Sequence, residues 1–231
     1  MKKLFYITLL ALSLSLFWNL KLFSESTEEN TELRHISLLC TSKRSPIDWY
    51  KQHLIHANNN DIRLARLCLS ISAQLGYAEA QFKLAKILLD EGEEKLAEVW
   101  MTEAAMQGNA EHQYQLGRCY DYVFSRETGE ENDRFRHLAF RWYEKAAAQN
   151  HASAADFLAQ CYRLDRGSVR DLSAAEYWYK KASELGENVN LGLADVYIKT
   201  NRPELAAPLL SAEAAAGCRH ARNILNELPA N

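Results

Sequence analysis

LAFRWYEKAAAQN, residues 138–150, is the stretch on which the reading of this chain turns. Four other thirteen-residue segments align with it without gaps: LARLCLSISAQLG (64–76), LAEVWMTEAAMQG (96–108), AAEYWYKKASELG (174–186) and LAAPLLSAEAAAG (205–217). Their last residues, Gly76, Gly108, Asn150, Gly186 and Gly217, are 32, 42, 36 and 31 residues apart. Each tolerates the left-handed backbone in which helices commonly stop. The five segments are therefore helix C-termini in one structural role, and a fixed period of this size points to a repeat architecture.

Upstream of four of them lies a second shared segment: FKLAKIL (82–88), YQLGRCY (114–120), DFLAQCY (156–162) and LGLADVY (191–197). In every copy Leu is followed by Ala or Gly. A large residue beside a small one lets two helices approach closely, the small residue admitting the partner's backbone and the large one filling the flank. Each unit is thus an antiparallel pair, helix A followed by helix B, in an all-α, right-handed superhelical solenoid. Its units are residues 78–109, 110–151, 152–187 and 188–218.

Composition agrees. Only 4 Pro and 9 Gly occur in 231 residues, few for an all-β protein, and 48% apolar with 25% charged residues excludes a disordered chain or a multi-span membrane protein. The chain has 27 basic and 30 acidic residues. Three of the bases, Lys2, Lys3 and Lys21, lie in the first 24 residues, which hold no acid, so the remainder carries 24 against 30. That balance gives no support to a nucleic-acid partner.

The flanks read as appendages. Lys2 and Lys3 precede an uncharged run, Leu4 to Leu20, with the basic and apolar regions of a bacterial export signal. Seventeen residues at 1.5 Å each reach roughly 25 Å, just short of a hydrocarbon core of about 30 Å. Residues 1–24 are therefore read as either a cleaved signal or an inner-membrane anchor, with the rest in the periplasm. Residues 25–45 form a polar linker. Residues 46–77 form a divergent first pair, its A helix opening at Ser45-Pro46 and its B helix running from Asp61 to Leu75; residues 219–231 hold a capping helix, since terminal solenoid units have one face without a neighbour.

The pattern A-x-x-x-x-x-L-G/A-x-x-Y, a variable loop, then A-x-x-W-Y-x-K-A-A resembles the Sel1-like repeat, a relative of the tetratricopeptide repeat. Unit 110–151 carries it best, with Ala110, Leu116, Gly117, Tyr120, Ala139, Trp142, Tyr143, Lys145, Ala146 and Ala147. Unit 152–187 follows with Leu158, Ala159, Tyr162, Ala175, Trp178, Tyr179, Lys181 and Ala182. The outer units depart from it: their A-to-B loops are short, and Leu209-Leu210 replaces Trp-Tyr in the last.

A search for catalytic chemistry finds no P-loop, G-x-G-x-x-G, G-x-S-x-G or H-E-x-x-H. The resemblance prompts a search for S-x-x-K, and no serine has Lys three positions on. His53 and His56 could share a helix face as metal ligands but read as solvated, and the acidic stretch Glu127 to Asp133 reads as a solvated insertion without the alternating ligands of a Ca²⁺ loop. Cys119 and Cys161 occupy one position in adjacent units, too far apart for a disulfide, and read as buried apolar residues; Cys40 and Cys68 could pair. Trp100, Trp142, Trp178, Tyr143 and Tyr179 recur at the core register and read as packing.

No enzyme activity and no cofactor is expected. In tetratricopeptide units the exposed A-helix positions line a concave face, and the resemblance transfers this to Lys86, Arg118, Asp121, Tyr122, Gln160, Arg163, Asp195 and Lys199. Mixed charge, amide and aromatic groups suit a protein partner. For an exported member the resemblance implies an envelope adaptor, a regulator that holds a sensor, or an immunity protein neutralising a secreted phospholipase-type effector. A cell-wall hydrolase is the alternative of another class. The central A helices, with Arg118, Asp121, Tyr122, Gln160 and Arg163, are expected to carry the binding surface with their side chains exposed.

Overall fold

The computed structural model describes residues 44–122 and 130–228. These contain eleven α-helices and no strand: α1 Pro46–Asn58, α2 Ile62–Gln74, α3 Ala78–Asp90, α4 Glu94–Met106, α5 Ala110–Tyr122, α6 Glu130–Ala148, α7 Ala152–Leu164, α8 Leu172–Glu184, α9 Asn190–Lys199, α10 Pro203–Ala215 and α11 Arg219–Glu227. Consecutive helices pack as antiparallel pairs, α1 with α2 through α9 with α10, and each pair packs on the next. The protein is an all-α solenoid of helix pairs, ending in the single helix α11. No helix among the described residues is long and apolar enough to cross a membrane, and the export segment lies outside them.

The aligned C-termini behave alike. Gly76, Gly108, Gly186 and Gly217 have φ between 91° and 97°, and Asn150 has φ 60°. At four of these ends the next amide reaches back to an orphan carbonyl, as from Tyr77 to Ser72, His151 to Ala146, Glu187 to Ala182 and Cys218 to Glu213. This is the Schellman closure, which satisfies groups the helix cannot.

Packing follows the shared segments. Leu84-Ala85, Leu116-Gly117, Leu158-Ala159 and Leu193-Ala194 are all buried on the A helices. Facing them, the sixth residue of every aligned B segment, Leu69, Met101, Tyr143, Tyr179 and Leu210, is at most 2% exposed. Gly117 shows why the small residue matters, because a Cβ there would lie 2.7 Å from the Tyr143 ring. Trp142 is buried, Trp100 and Trp178 lean on the core, and the Lys145 ammonium lies 3.9 Å from the Trp142 ring centroid.

The acidic stretch leads into α6, which begins at Glu130. One reading of the sequence is corrected: His53 is not solvated. It is 5% exposed, and its Nδ1 donates to the Ala65 carbonyl at 2.8 Å, tying α1 to α2.

Candidate binding groove

Helix α7 and its following turn tie three units together. Asp165 takes a left-handed φ of 57°, which turns the chain so that Arg166 points back and Gly167 packs on α6. A Cβ on Gly167 would lie 2.2 Å from the Arg136 carbonyl oxygen. Arg166 Nη2 donates to Asp121 Oδ1 at 2.8 Å, in the preceding unit. Arg163, one turn earlier, points forward: its Nε donates to the Tyr179 hydroxyl at 3.0 Å and its Nη1 to Asp195 Oδ2 at 2.6 Å. Lys199 Nζ donates to the same oxygen at 2.7 Å.

Around Arg163 the A-helix face opens into a groove. One cavity of about 250 Å³ is lined by Asp156, Gln160 and Arg163 of α7, Tyr179 of α8, Asn188, Leu191 and Gly192 around α9, and Glu213 of α10. A second, of about 260 Å³, is lined by Arg163, Leu191, Gly192, Asp195 and Lys199, with His220 and Ile224 of α11. Arg163, Leu191 and Gly192 line both, so the two are halves of one trough. Gly192 lets the Tyr179 ring form the floor: a Cβ there would lie 2.5 Å from that ring. Burial pushes the Tyr179 hydroxyl up to about 12, so it stays protonated as a neutral partner for Arg163.

Of the eight residues expected on the binding face, Gln160, Arg163, Asp195 and Lys199 line this groove. Lys86, Arg118 and Tyr122 are exposed on earlier helices outside it, with Arg118 lying over the Tyr114 ring. The expectation that all the central side chains are exposed is corrected at Asp121, which is 8% exposed and closed off by Arg166, and at Gln160 and Arg163, which are half-buried. Helical geometry explains the burial of Asp121. Five residues past the core Leu is roughly 140° around the helix, a flank that meets the next A helix, whereas two past is roughly 200° and points away. Leu89 and Ile198, at the same flank position, also pack on the core.

The sequence reading missed Asp156, Asn188, Leu191, Gly192, Glu213, His220 and Ile224. Part of the signal was present. Asp156, Gln160 and Arg163 are spaced i, i+4, i+7, and Gly192, Asp195 and Lys199 are spaced i, i+3, i+7, which puts each set on one helix face. Glu213 and α11 reach the groove only through the stacking of successive units.

The thiols suit packing. Burial pushes Cys119 up to about 11 and Cys161 up to about 12, far from the thiolate range that nucleophilic chemistry requires. The pairing of Cys40 with Cys68 lies outside the described residues.

The Sel1 repeat family matches residues 78–109, 110–151 and 152–187. The chain carries three Sel1 repeats. Among solved structures it is similar to a Sel1 repeat protein from Oxalobacter formigenes, with TM-score 0.59 and 25% identity over 77% of this chain and 74% of that one. It is similar also to the C-terminal part of a TPR repeat-containing protein from Cytophaga hutchinsonii, with TM-score 0.50 and 17% identity over 76% and 68%, a likeness of fold. A protective antigen present in uropathogenic Escherichia coli, displaying an SLR fold, aligns at 21% identity and TM-score 0.45 over 80% and 50%. No curated protein sequence matches the chain. Sel1 and tetratricopeptide repeats are scaffolds for protein–protein binding.

Proposed function

We propose that this protein is a non-catalytic scaffold of the bacterial envelope that holds a segment of a protein partner in the groove between α7, α9 and α11. The continuity of the two cavities through Arg163, Leu191 and Gly192 carries this reading. Two adjoining cavities of about 250 and 260 Å³ along one trough suit successive side chains of a single bound chain. The signal-like residues 2–20 support placement outside the cytoplasm.

In its most specific form the partner is a toxic phospholipase-type effector that the scaffold neutralises. Capture from envelope extract on the purified chain, compared with capture on an Arg163→Ala, Lys199→Ala variant of unchanged circular dichroism, tests the groove. A protein retained by the parent and lost from the variant is the expected result. Equal retention would move the site elsewhere on the solenoid. Addition of the captured protein to a phospholipase assay, with and without the scaffold, tests neutralisation. A reporter active only in the cytoplasm, fused after Asn231, should stay silent if the repeats are exported.

A further inference from the structure

The groove is electrically uneven. In the first cavity the hydrogen bonds to both carboxylates come from amides: Gln160 Nε2 donates to Asp156 Oδ2 at 3.0 Å, and the Nδ2 groups of Asn188 and Asn190 both donate to Glu213 Oε1 at 2.9 Å. Amides orient a carboxylate without cancelling its charge. A carboxylate has about four acceptor sites, so Asp156 Oδ1 and Glu213 Oε2 keep capacity for a donor. Asp195 in the second cavity is the reverse case, one anion between two cations, Arg163 and Lys199, with His220 close by. The first cavity thus sets two carboxylates against one cation, Arg163, whose own hydrogen bonds go to Asp195 and Tyr179, and the second sets one carboxylate against two cations.

The walls of the first cavity narrow the occupant further. Tyr179, Val189, Leu191 and Gly192 give an apolar lining between the two carboxylates, which matches an aliphatic stem carrying a cationic head. Burial raises the carboxyl of Asp156 above its ordinary range, a cost that an incoming cation would reverse.

We propose that the Asp156–Glu213 cavity receives the side chain of a Lys or Arg from the bound protein segment. The segment lies extended along the trough. Side chains two residues apart on an extended chain point the same way about 6.6–6.8 Å apart, so the next one on that face enters the second cavity, against Leu191 and Ile224. This rests on the groove-binding reading and adds the chemistry of the occupant.

The experiment pans a randomised linear peptide library on the full folded chain and titrates the selected peptides by fluorescence anisotropy. The expected peptides carry a Lys or Arg whose replacement by Ala weakens binding about tenfold. The Asp156→Asn, Glu213→Gln double variant should show the same loss, and the two losses should not add. Gln160→Lys, which sets an ammonium beside Asp156 without deleting either carboxylate, should also reproduce it, with circular dichroism confirming each fold. Leu191→Trp, filling the wall shared by both cavities, should abolish binding of every selected peptide. Peptides that need Leu191 but no basic residue would overturn the charge assignment and leave the groove reading standing. Peptides indifferent to Leu191→Trp, or no selected peptides, would overturn both.

Discussion

Repeat 152–187 grips its neighbours through two arginines three residues apart, and the two grips differ. Arg166 reaches back to Asp121, whose side chain is 6% exposed, while Arg163 reaches forward to Asp195, whose side chain is 32% exposed and also paired with Lys199. Burial pushes the Asp121 carboxyl above its ordinary range, and the opposing pull of Arg166 and Arg136 is too weak to restore it. At Asp195 burial also pushes upward, but hydrogen bonds from Lys199 and Arg163 outweigh it and hold the carboxyl below that range. A salt bridge between solenoid units thus has opposite electrostatic consequences according to how much water it keeps. The backward contact closes the seam between units, whereas the forward contact forms the rim of an open groove.

The largest expected effect removes the support common to both. Leu158 is fully buried on α7, the helix that carries Arg163 and leads into the turn with Arg166. Leu158→Ala should destabilise the fold by about 2–5 kcal/mol through lost burial and a residual cavity, read from urea midpoints by circular dichroism. A loss below about 1 kcal/mol would mean that α7 is not anchored by this core and that the two networks need not behave as one body.

The next effect separates the networks by function. Arg163→Ala should cost about 2 kcal/mol or more of partner binding, since it empties the shared wall of the groove in a residue type common among hot spots. Asp121→Asn should leave binding intact and change stability at neutral pH by less than about 1 kcal/mol, because the raised pKa means that the folded state does not favour the ionised carboxyl, and the Arg166 left behind is partly open to water. Calorimetric titration of the captured partner checks the first, and thermal unfolding the second. Equal binding losses in the two variants would erase the distinction between seam and groove.

The two regions were not equally legible. The five aligned B segments and the Leu-small pairs fixed helix pairing, because these residues meet identical neighbours in every unit. The groove depends on what is not repeated. Asp121 and Arg163 share one repeat position, yet the carboxylate is capped by an arginine from the A-to-B turn of the next unit, and the other position carries the cation itself. Glu213, His220 and Ile224 enter from an atypical final pair and its capping helix, for which the repeat supplies no template. Periodicity reports shared contacts, and a binding surface is assembled from departures.

The smallest expected effect is also the most discriminating. With its pKa lowered on folding, Asp195 gives the unfolded state the greater proton uptake. Its stabilising contribution is therefore complete above the ordinary aspartate range and is lost as pH falls through the lowered folded value. Asp121 has the opposite sign. Its folded pKa is raised, so the native state takes up the proton first, and stability falls as pH rises from the ordinary aspartate value through the raised one. Unfolding free energies measured from about pH 3 to pH 7 should follow from this. The cost of Asp195→Asn should grow as pH rises through the acid range, while the cost of Asp121→Asn should shrink over the same interval. A parallel pH dependence in the two variants would show that burial does not set these salt bridges apart, and that the groove rim is as closed to water as the seam.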